Sequence, residues 1–280
     1  MATATTPIPK LFYPTSQKTD VLKALAKFEV LTIRDLALLL FEKTDKVTLS
    51  SVVRTTRLLE RHGLVNRIYF RPEEYRGEGL LPFACGLSEE GVIFAHDNFP
   101  NTDPKLFRKD HSPHTIEHEL KRARFHIKVS EMCKKHKLEL FWRKTDLNHT
   151  VKPDDVFAIK REAKITYYFF ELENKRKSFK EMLDKYKRYE EYYGTEKCKQ
   201  EWKDFKTFTV VTQIRTEEAR QNILKFLAGE SVTEYRNGHG RTIVNPTPIK
   251  RSNFWFSAEA EPFTFLTPRD YEKVAYSLLQ

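Results

Sequence analysis

The sequence predicts an α/β protein with two domains, and three observations support this prediction. At 280 residues the chain is long enough for two hydrophobic cores. Its first hundred residues place apolar side chains at helical spacing, whereas later runs such as 165–173 are apolar and aromatic, as in buried strands. A stretch with three prolines, 97–113, separates the two patterns and marks a boundary between domains.

The chain carries a net positive charge that is unevenly distributed along the sequence. The formal net charge is +10, with 16 Lys and Arg against 14 Asp and Glu in residues 1–110, and 33 against 25 in residues 111–280. This excess favours a polyanionic partner such as DNA. Hydrophobic residues make up 40% of the chain and charged residues 31%, which predicts a folded, soluble protein.

Secretion, a membrane span and a disulfide framework are not predicted. Residues 1–9 lack the basic and then apolar pattern of a signal peptide. The most apolar window, 36–41, is too short to cross a bilayer. Cys85, Cys133 and Cys198 are odd in number and show no metal-ligand spacing, which indicates thiols in a reducing compartment. We therefore expect a cytoplasmic protein with no membrane partner.

The first domain is predicted over residues 18–98, after a flexible arm over 1–17. Capping residues and a glycine delimit its elements. The predicted elements are a helix from Thr19, a helix over Ile33–Phe41 capped by Thr32, a helix from Ser50 to His62 ended by Gly63, strands over 64–71 and 80–87, and a short helix from Ser88. Three helices followed by a two-stranded hairpin predict a winged-helix domain.

In a winged helix that binds DNA, the third helix is the element that lies in the major groove. The run over 58–67 resembles the end of that recognition helix and the entry to the wing. We expect four residues on or beside the face of this helix that meets the major groove: Arg54, Thr55, Arg57 and Arg61. Arg71 and Arg76 are expected in the wing, near phosphates. Because winged helices also serve as protein–protein modules, a homodimer or a protein partner is an alternative.

A histidine cluster stands at the start of the second domain. His114, Glu117 and His118 match the H-x-x-E-H pattern of inverted zinc proteases, so a zinc hydrolase is a minor alternative. The same segment also predicts a helix packed on a sheet, with apolar residues spaced by four, three and four: Ile116, Leu120, Ala123 and Ile127. In that case Glu119 is expected near the active end of the sheet as an accessory acid.

The second domain, predicted over 113–280 after a linker over 99–112, shows the order α-β-β-β-α-β-α. After its first helix, the predicted elements are strands over 138–142, 155–159 and 165–173, a helix over 179–193, a strand over 205–212 and a helix over 217–227. Short strands near 241–244 and 253–256 and a helix over 271–279 are predicted in the tail. This is the order of the restriction-endonuclease-like PD-(D/E)xK fold.

The chemistry of that fold needs a strand-end aspartate and, across one hairpin, an acidic residue with a second polar group two positions on. A turn centred near Glu162 would place Asp154 beside Glu171. Glu173 would share the face of Glu171, because side chains two apart on a strand point the same way. We expect these three carboxylates to bind Mg²⁺ or Mn²⁺, which would activate a water and neutralise the scissile phosphate.

The catalytic lysine has two candidate positions. The segment Glu173-Asn174-Lys175 matches E-x-K literally, but it extends the strand through asparagine, a poor strand former. If Glu171-Leu-Glu173 is the motif instead, the lysine has to come from the following helix, and Lys185 is the best candidate. Both alignments stay open.

The helix over 179–193 is expected to be apolar on one side and basic on the other. Met182, Tyr186 and Tyr189 recur at spacings of four and three, which predicts a packed stripe. The residues expected outside, as phosphate contacts, are Lys177, Lys180, Lys187 and Arg188. A solvated charged face is the alternative.

From His114 to about Leu227 the sequence resembles the replication-relaxation family of bacterial plasmids and mobile elements, whose members combine a winged helix with a nuclease-like domain. The matching residues are His114-Thr115, Lys152-Pro153-Asp154, Phe169-Phe170-Glu171-Leu172-Glu173, and Lys185 with Tyr189. Members more often carry Glu-x-Asp and then Arg-Gly where this chain has Glu173-Asn174-Lys175.

The resemblance implies a role in plasmid replication, DNA relaxation or transfer, together with a partner replication, relaxase or transposition protein. Two hypotheses follow for the second domain. It is either a Mg²⁺-dependent DNA endonuclease that nicks DNA, or a catalytically inactive accessory factor of the same architecture that binds DNA.

Overall fold

The computed structural model describes residues 15–70, 83–100, 102–143, 150–173, 178–202, 207–236, 239–244 and 254–258. These residues form two compact units that divide after Lys128. The predictions outside the described residues are the arm up to residue 14, Arg71 and Arg76 of the wing, Lys175, Lys177 and the helix over 271–279. None of the described helices is long and apolar enough to cross a membrane.

The first unit combines helices with a small antiparallel sheet. Its elements are α1 (Ser16–Phe28), β1 (Val30–Thr32), α2 (Ile33–Phe41), α3 (Lys46–Arg61), β2 (Val65–Tyr69), β3 (Phe83–Leu87), α4 (Glu89–Asn98) and the first part of α5 (Pro113–Lys135). The sheet order is β1-β3-β2, with β2 and β3 antiparallel as predicted. Strand β1 was not predicted, because three residues between two helices are too few to show an alternation.

Local hydrogen bonds and backbone conformation fix the ends of α3. The Asp45 carboxylate accepts hydrogen bonds from two backbone N–H groups of the first turn, so the helix begins at Lys46. The predicted start at Ser50 is therefore wrong. At the other end Gly63 has a φ of 76°, the left-handed conformation predicted for this glycine. Helix α2 begins where predicted, because the Thr32 side chain caps it.

The first part of α5 packs on the sheet of the first unit. The predicted apolar stripe is buried in full: Ile116, Leu120, Ala123 and Ile127. Ile116 and Leu120 share a buried cluster with Val30 of β1 and Ala84 of β3. The sheet that this stripe covers is therefore the sheet of the first unit. Phe107, within the predicted linker, is buried in the same cluster.

The second unit is built on a five-stranded sheet in the order β10-β7-β6-β5-β4. Its elements after α5 are β4 (Glu139–Arg143), β5 (Asp155–Arg161), β6 (Lys164–Glu173), α6 (Phe179–Tyr192), α7 (Glu196–Glu201), β7 (Thr209–Ile214), α8 (Glu217–Ala228), β8 (Ser231–Arg236), β9 (His239–Val244) and β10 (Phe254–Ala258). Strands β4, β5 and β6 are antiparallel, and β6, β7 and β10 are parallel. The order from α5 to α8 is the predicted one, apart from the added short helix α7.

Aromatic side chains hold α6 against the sheet. Phe169 of β6 stacks on Phe208, with ring centroids 4.1 Å apart. Tyr186 of α6 packs edge-on against Phe254 and Phe256 of β10, with centroids 5.7 and 5.1 Å away. Large rings of this kind dominate the energetics of a core. Their packing determines which polar side chains of α6 face the strands.

Candidate functional site

A tight hairpin places two carboxylates of the second unit side by side. The turn between β5 and β6 contains Glu162, and the antiparallel register reaches the pair Asp155 and Phe170. Asp154 directly precedes β5, and this register continued by one position sets it opposite Glu171. The expectation drawn from a turn at Glu162 is thus confirmed for the register of the strands.

Glu171 and Glu173 lie on the same face of β6 and are almost fully buried, with 2% and 5% of their surface exposed. Lys185 Nζ lies 2.5 Å from Glu171 Oε2 and 2.5 Å from Glu173 Oε1. One ammonium group therefore bridges two carboxylates, and we refer to these three residues as the carboxylate–lysine cluster. Of the two predicted lysine positions, Lys185 contacts the carboxylates, whereas Lys175 lies outside the described residues.

The sequence of α6 explains why Lys185 reaches the strands. Ser178 and Glu181 form a reciprocal capping box that fixes the start of the helix. The predicted stripe of Met182, Tyr186 and Tyr189 is buried. Lys185 lies one residue before Tyr186 and four before Tyr189, at the border of this stripe. Its side chain is 15% exposed, so most of it is shielded from water.

Two tyrosine hydroxyls donate hydrogen bonds at the same end of the sheet. Tyr189 donates to Glu171 Oε1 at 2.5 Å, and Tyr186 donates to Thr212 Oγ1 at 2.9 Å. Thr212 of β7 is the register partner of Glu171. Burial raises the pKa of both tyrosines well above its ordinary value, so they remain protonated donors. No pattern in the sequence indicated that Tyr189 would reach Glu171.

Burial and charge act in opposite directions within the cluster. Burial raises the pKa of Glu171 to about 7, the Asp154 charge acts in the same direction, and Lys185 opposes both. Burial alone would lower the pKa of Lys185, but the neighbouring carboxylates, Glu171 first, raise it above its ordinary value. Lys185 therefore stays charged, while Glu171 can exchange a proton near neutral pH.

Asp154 is held by the backbone of the neighbouring strand. Its Oδ2 accepts a hydrogen bond from Leu172 N at 2.7 Å. The segment just before it is anchored by Glu201 of α7, which accepts hydrogen bonds from Thr150 N and Oγ1 at 2.9 and 2.8 Å and from the Tyr192 hydroxyl at 2.5 Å. Sequence reasoning missed Glu201, because Thr150 lies 51 residues away along the chain.

The predicted metal ligands do not form an open site for a divalent ion in this arrangement. Within the described part of the chain, His, Cys, Asp and Glu side chains form no group of three that could hold a metal ion. Glu171 and Glu173 each direct an oxygen at Lys185. An ammonium between them repels a second cation. In this arrangement the cation that contacts both carboxylates is the Lys185 ammonium.

Glu119, the predicted accessory acid, lies in a different polar cluster. Its carboxylate accepts a hydrogen bond from Arg122 Nε at 2.9 Å and lies 3.4 Å from His118 Nδ1. Arg122 also pairs with Glu29 of the first unit at 2.8 Å. Burial would raise the pKa of Glu119, but the hydrogen bond with His118 and the charge of Arg122 outweigh burial and lower it. Among the described residues, His114 and His118 meet no further ligand that would complete a zinc site.

Helix α3 presents three arginines to solvent. Arg54, Arg57 and Arg61 are exposed, and their spacing of three and four places them on one face of the helix. We refer to them as the arginine face. The same face forms a shallow depression of about 450 Å³, lined also by Ser50, Val53 and Leu58. Thr55, expected beside these arginines, is buried with 7% of its surface exposed, so that prediction is wrong.

The basic residues of α6 differ in their exposure. Lys180 and Arg188 are exposed, as predicted, and Lys187 is half-buried. Arg188 Nε donates a hydrogen bond to the backbone oxygen of Asp184 at 3.3 Å. Lys180 is therefore the described lysine of α6 best suited to serve as a control for Lys185.

The comparison with known families decides how the chain is classified. A family model described as Replication-relaxation matches residues 22–211, which is more than half of the chain. The chain belongs to the replication-relaxation family. The match extends from α1 into β7 and includes both the arginine face and the carboxylate–lysine cluster. No curated protein and no solved structure shows a significant match to this member of the family.

Proposed function

We propose that this protein binds double-stranded DNA through α3, in the replication or relaxation of a plasmid or other mobile element. The family description favours DNA and replication-related partners. The main support for the proposal is the arginine face, in which Arg54, Arg57 and Arg61 are exposed on one side of α3. Arginine suits this role because its planar guanidinium forms paired hydrogen bonds with phosphate or with guanine.

The dimensions of α3 suit the major groove of DNA. Three helices precede a hairpin in the first unit, which is the order of a winged helix, and α3 takes the place of the recognition helix. Arg54 and Arg61 are seven residues apart, or roughly 10 Å along the helix axis at 1.5 Å per residue. That distance corresponds to about three base pairs of B-DNA at 3.4 Å each.

A binding titration tests this proposal. We expect a labelled mixed-sequence duplex to bind the full chain in fluorescence anisotropy, with an affinity that falls steeply as salt increases. Replacing Arg54, Arg57 and Arg61 together by alanine should weaken binding and lower the salt slope by roughly one unit for each phosphate that the variant no longer neutralises. The control is Lys225→Ala, which removes a charge from an exposed position on α8. Salt-independent binding, or an equally large effect of the control, would refute the proposal.

A second candidate function is Mg²⁺-dependent DNA nicking by the second unit. The observation that favours it is that Asp154, directly before β5, lies close enough to Glu171 of β6 to raise its pKa, in the element order of PD-(D/E)xK nucleases. The position of Lys185 between Glu171 and Glu173 favours instead an accessory factor that binds DNA without cutting it. In either case the second unit would act on the DNA that α3 binds.

Supercoiled plasmid distinguishes the nuclease from the accessory factor. Wild type and Asp154→Ala would be incubated with the plasmid in Mg²⁺, in Mn²⁺ and in EDTA, and nicking followed on a gel. Metal-dependent nicking that disappears in the variant would support the nuclease. Binding by both proteins without nicking would support the accessory factor.

A further inference from the structure

The carboxylate–lysine cluster requires a positive charge at one particular place. Glu171 and Glu173 project from the same face of β6, and both are at least 95% buried. Two buried carboxylates so close together are strongly unfavourable unless a cation compensates them. In this chain the compensating cation is the Lys185 ammonium, 2.5 Å from each of them.

A divalent ion would need the same oxygens. Mg²⁺ and Mn²⁺ prefer carboxylate oxygens, and a position shared by two carboxylates is the natural one for such an ion. The Lys185 ammonium already occupies that position, and it is held there by a helix whose neighbouring tyrosines are buried in the core. Because Lys185 is covalently attached to the chain, its effective concentration beside the carboxylates is high, and a dissolved ion has to compete with it.

We propose that Lys185 takes the place of a divalent cation between Glu171 and Glu173, and that it closes this carboxylate pair to Mg²⁺ and Mn²⁺. Removal of the ammonium opens a site for one oxygen-seeking divalent ion per chain. The inference does not depend on whether the protein binds DNA, because it concerns only which cation the carboxylates hold.

Mn²⁺ binding to the full chain tests the proposal. Three variants are compared with wild type: Lys185→Met, which keeps the unbranched apolar stem but removes the ammonium, Lys185→Arg, which keeps the charge, and Lys180→Met, the matched control on the exposed side of α6. Binding is counted by electron paramagnetic resonance, and Tm is measured with and without Mn²⁺.

We expect Lys185→Met to bind one additional Mn²⁺ per chain and to gain several degrees in Tm at saturating Mn²⁺, because an ion that binds only the folded state stabilises it. Wild type, Lys185→Arg and Lys180→Met should show neither effect. A folded Lys185→Met that gains no Mn²⁺ site would overturn the proposal.

The wild-type protein provides a second, independent test. If wild type binds Mn²⁺ and Glu173→Gln abolishes that binding, Lys185 does not exclude the ion and the proposal is wrong. Equal Mn²⁺ binding by the two proteins, or none by either, would support the proposal, because it means that the pair holds no Mn²⁺ in wild type, and this comparison does not require Lys185→Met to fold. Refolding of Lys185→Met that depends on Mn²⁺ would support it further.

Discussion

The arginine face of α3 and Lys185 of α6 are both cationic and both on helices, but their surroundings differ. Arg54, Arg57 and Arg61 are exposed, and within the described part of the chain no ion pair involves them. Lys185 is mostly buried and contacts two buried carboxylates. Water screens the arginines, so they are available to phosphates, whereas the charge of Lys185 is already compensated inside the protein.

This difference shows that a count of basic residues does not identify a DNA-binding surface. The second part of the chain carries most of the excess positive charge, yet Lys185 in that part is mostly buried and pairs with a buried carboxylate. The burial of each cation, and the carboxylates it contacts, decide whether it serves the fold or a ligand. Mutations that separate stability from DNA binding therefore test the comparison directly.

The largest effect is expected from Lys185→Ala. The substitution leaves two buried carboxylates without their cation, which should lower the free energy of unfolding by about 3 kcal/mol. Chemical denaturation monitored by circular dichroism measures it. Lys180→Ala, on the exposed side of the same helix, should change stability little. Equal effects of the two substitutions would mean that the cluster does not stabilise the fold.

Glu201→Gln should have the next largest effect. The amide can no longer accept all three hydrogen bonds from Thr150 and Tyr192, so the free energy of unfolding should fall by about 2 kcal/mol. The segment that leads to Asp154 should become more mobile, which faster amide hydrogen exchange around Thr150 would reveal. Unchanged exchange would indicate that Glu201 does not anchor this segment.

The pH dependence of stability tests the ionisation of Glu171. Burial and the Asp154 charge raise the pKa of Glu171 to about 7 in the folded state, above the ordinary value of 4.5. Protonation of Glu171 therefore stabilises the folded state. This stabilisation is complete below pH 4.5 and is lost as the pH rises through 7. Between pH 6 and 8, wild type should lose about 1.4 kcal/mol relative to Glu171→Gln, whose amide cannot ionise. Parallel unfolding curves for the two proteins would contradict this expectation.

The smallest effect is expected from Arg57→Ala, and it should appear in binding alone. Removal of one exposed cation should weaken DNA binding roughly fivefold and leave Tm unchanged. Lys185→Ala should show the opposite behaviour, a large decrease in Tm with DNA affinity retained below the melting temperature. If Arg57→Ala lowers Tm and leaves affinity intact, the proposed difference between the two cationic surfaces is wrong.

Local signals in the sequence predicted the parts of the site that depend on neighbouring residues. The turn at Glu162 predicted the register of β5 and β6, because a two-residue hairpin leaves little room for a shift. The spacing of Tyr186 and Tyr189 predicted the buried stripe of α6. These features follow from the alternation of a strand and from the period of a helix.

Contacts between distant segments could not be predicted in the same way. The apolar stripe of α5 indicated packing on a sheet, but nothing in its spacing specified the sheet of the first unit. Thr55 was predicted on or beside the DNA face and is buried, because one step along a helix from Arg54 turns the side chain by about 100°. The bridging position of Lys185 depends on how α6 packs on β6, which residues far along the chain help to determine.

Strand β10, the last described strand, is synthesised late, and this affects how the second unit folds on the ribosome. Phe254 and Phe256 pack against Tyr186, the neighbour of Lys185, so one support of the cluster is synthesised about sixty residues after the end of the helix that it contacts. Until β10 leaves the ribosome, β7 presents an open edge, which is prone to wrong pairing. Residues of the first unit emerge earlier and can fold first. A nascent chain halted before residue 254 should therefore expose the aromatic face of α6 and recruit chaperones.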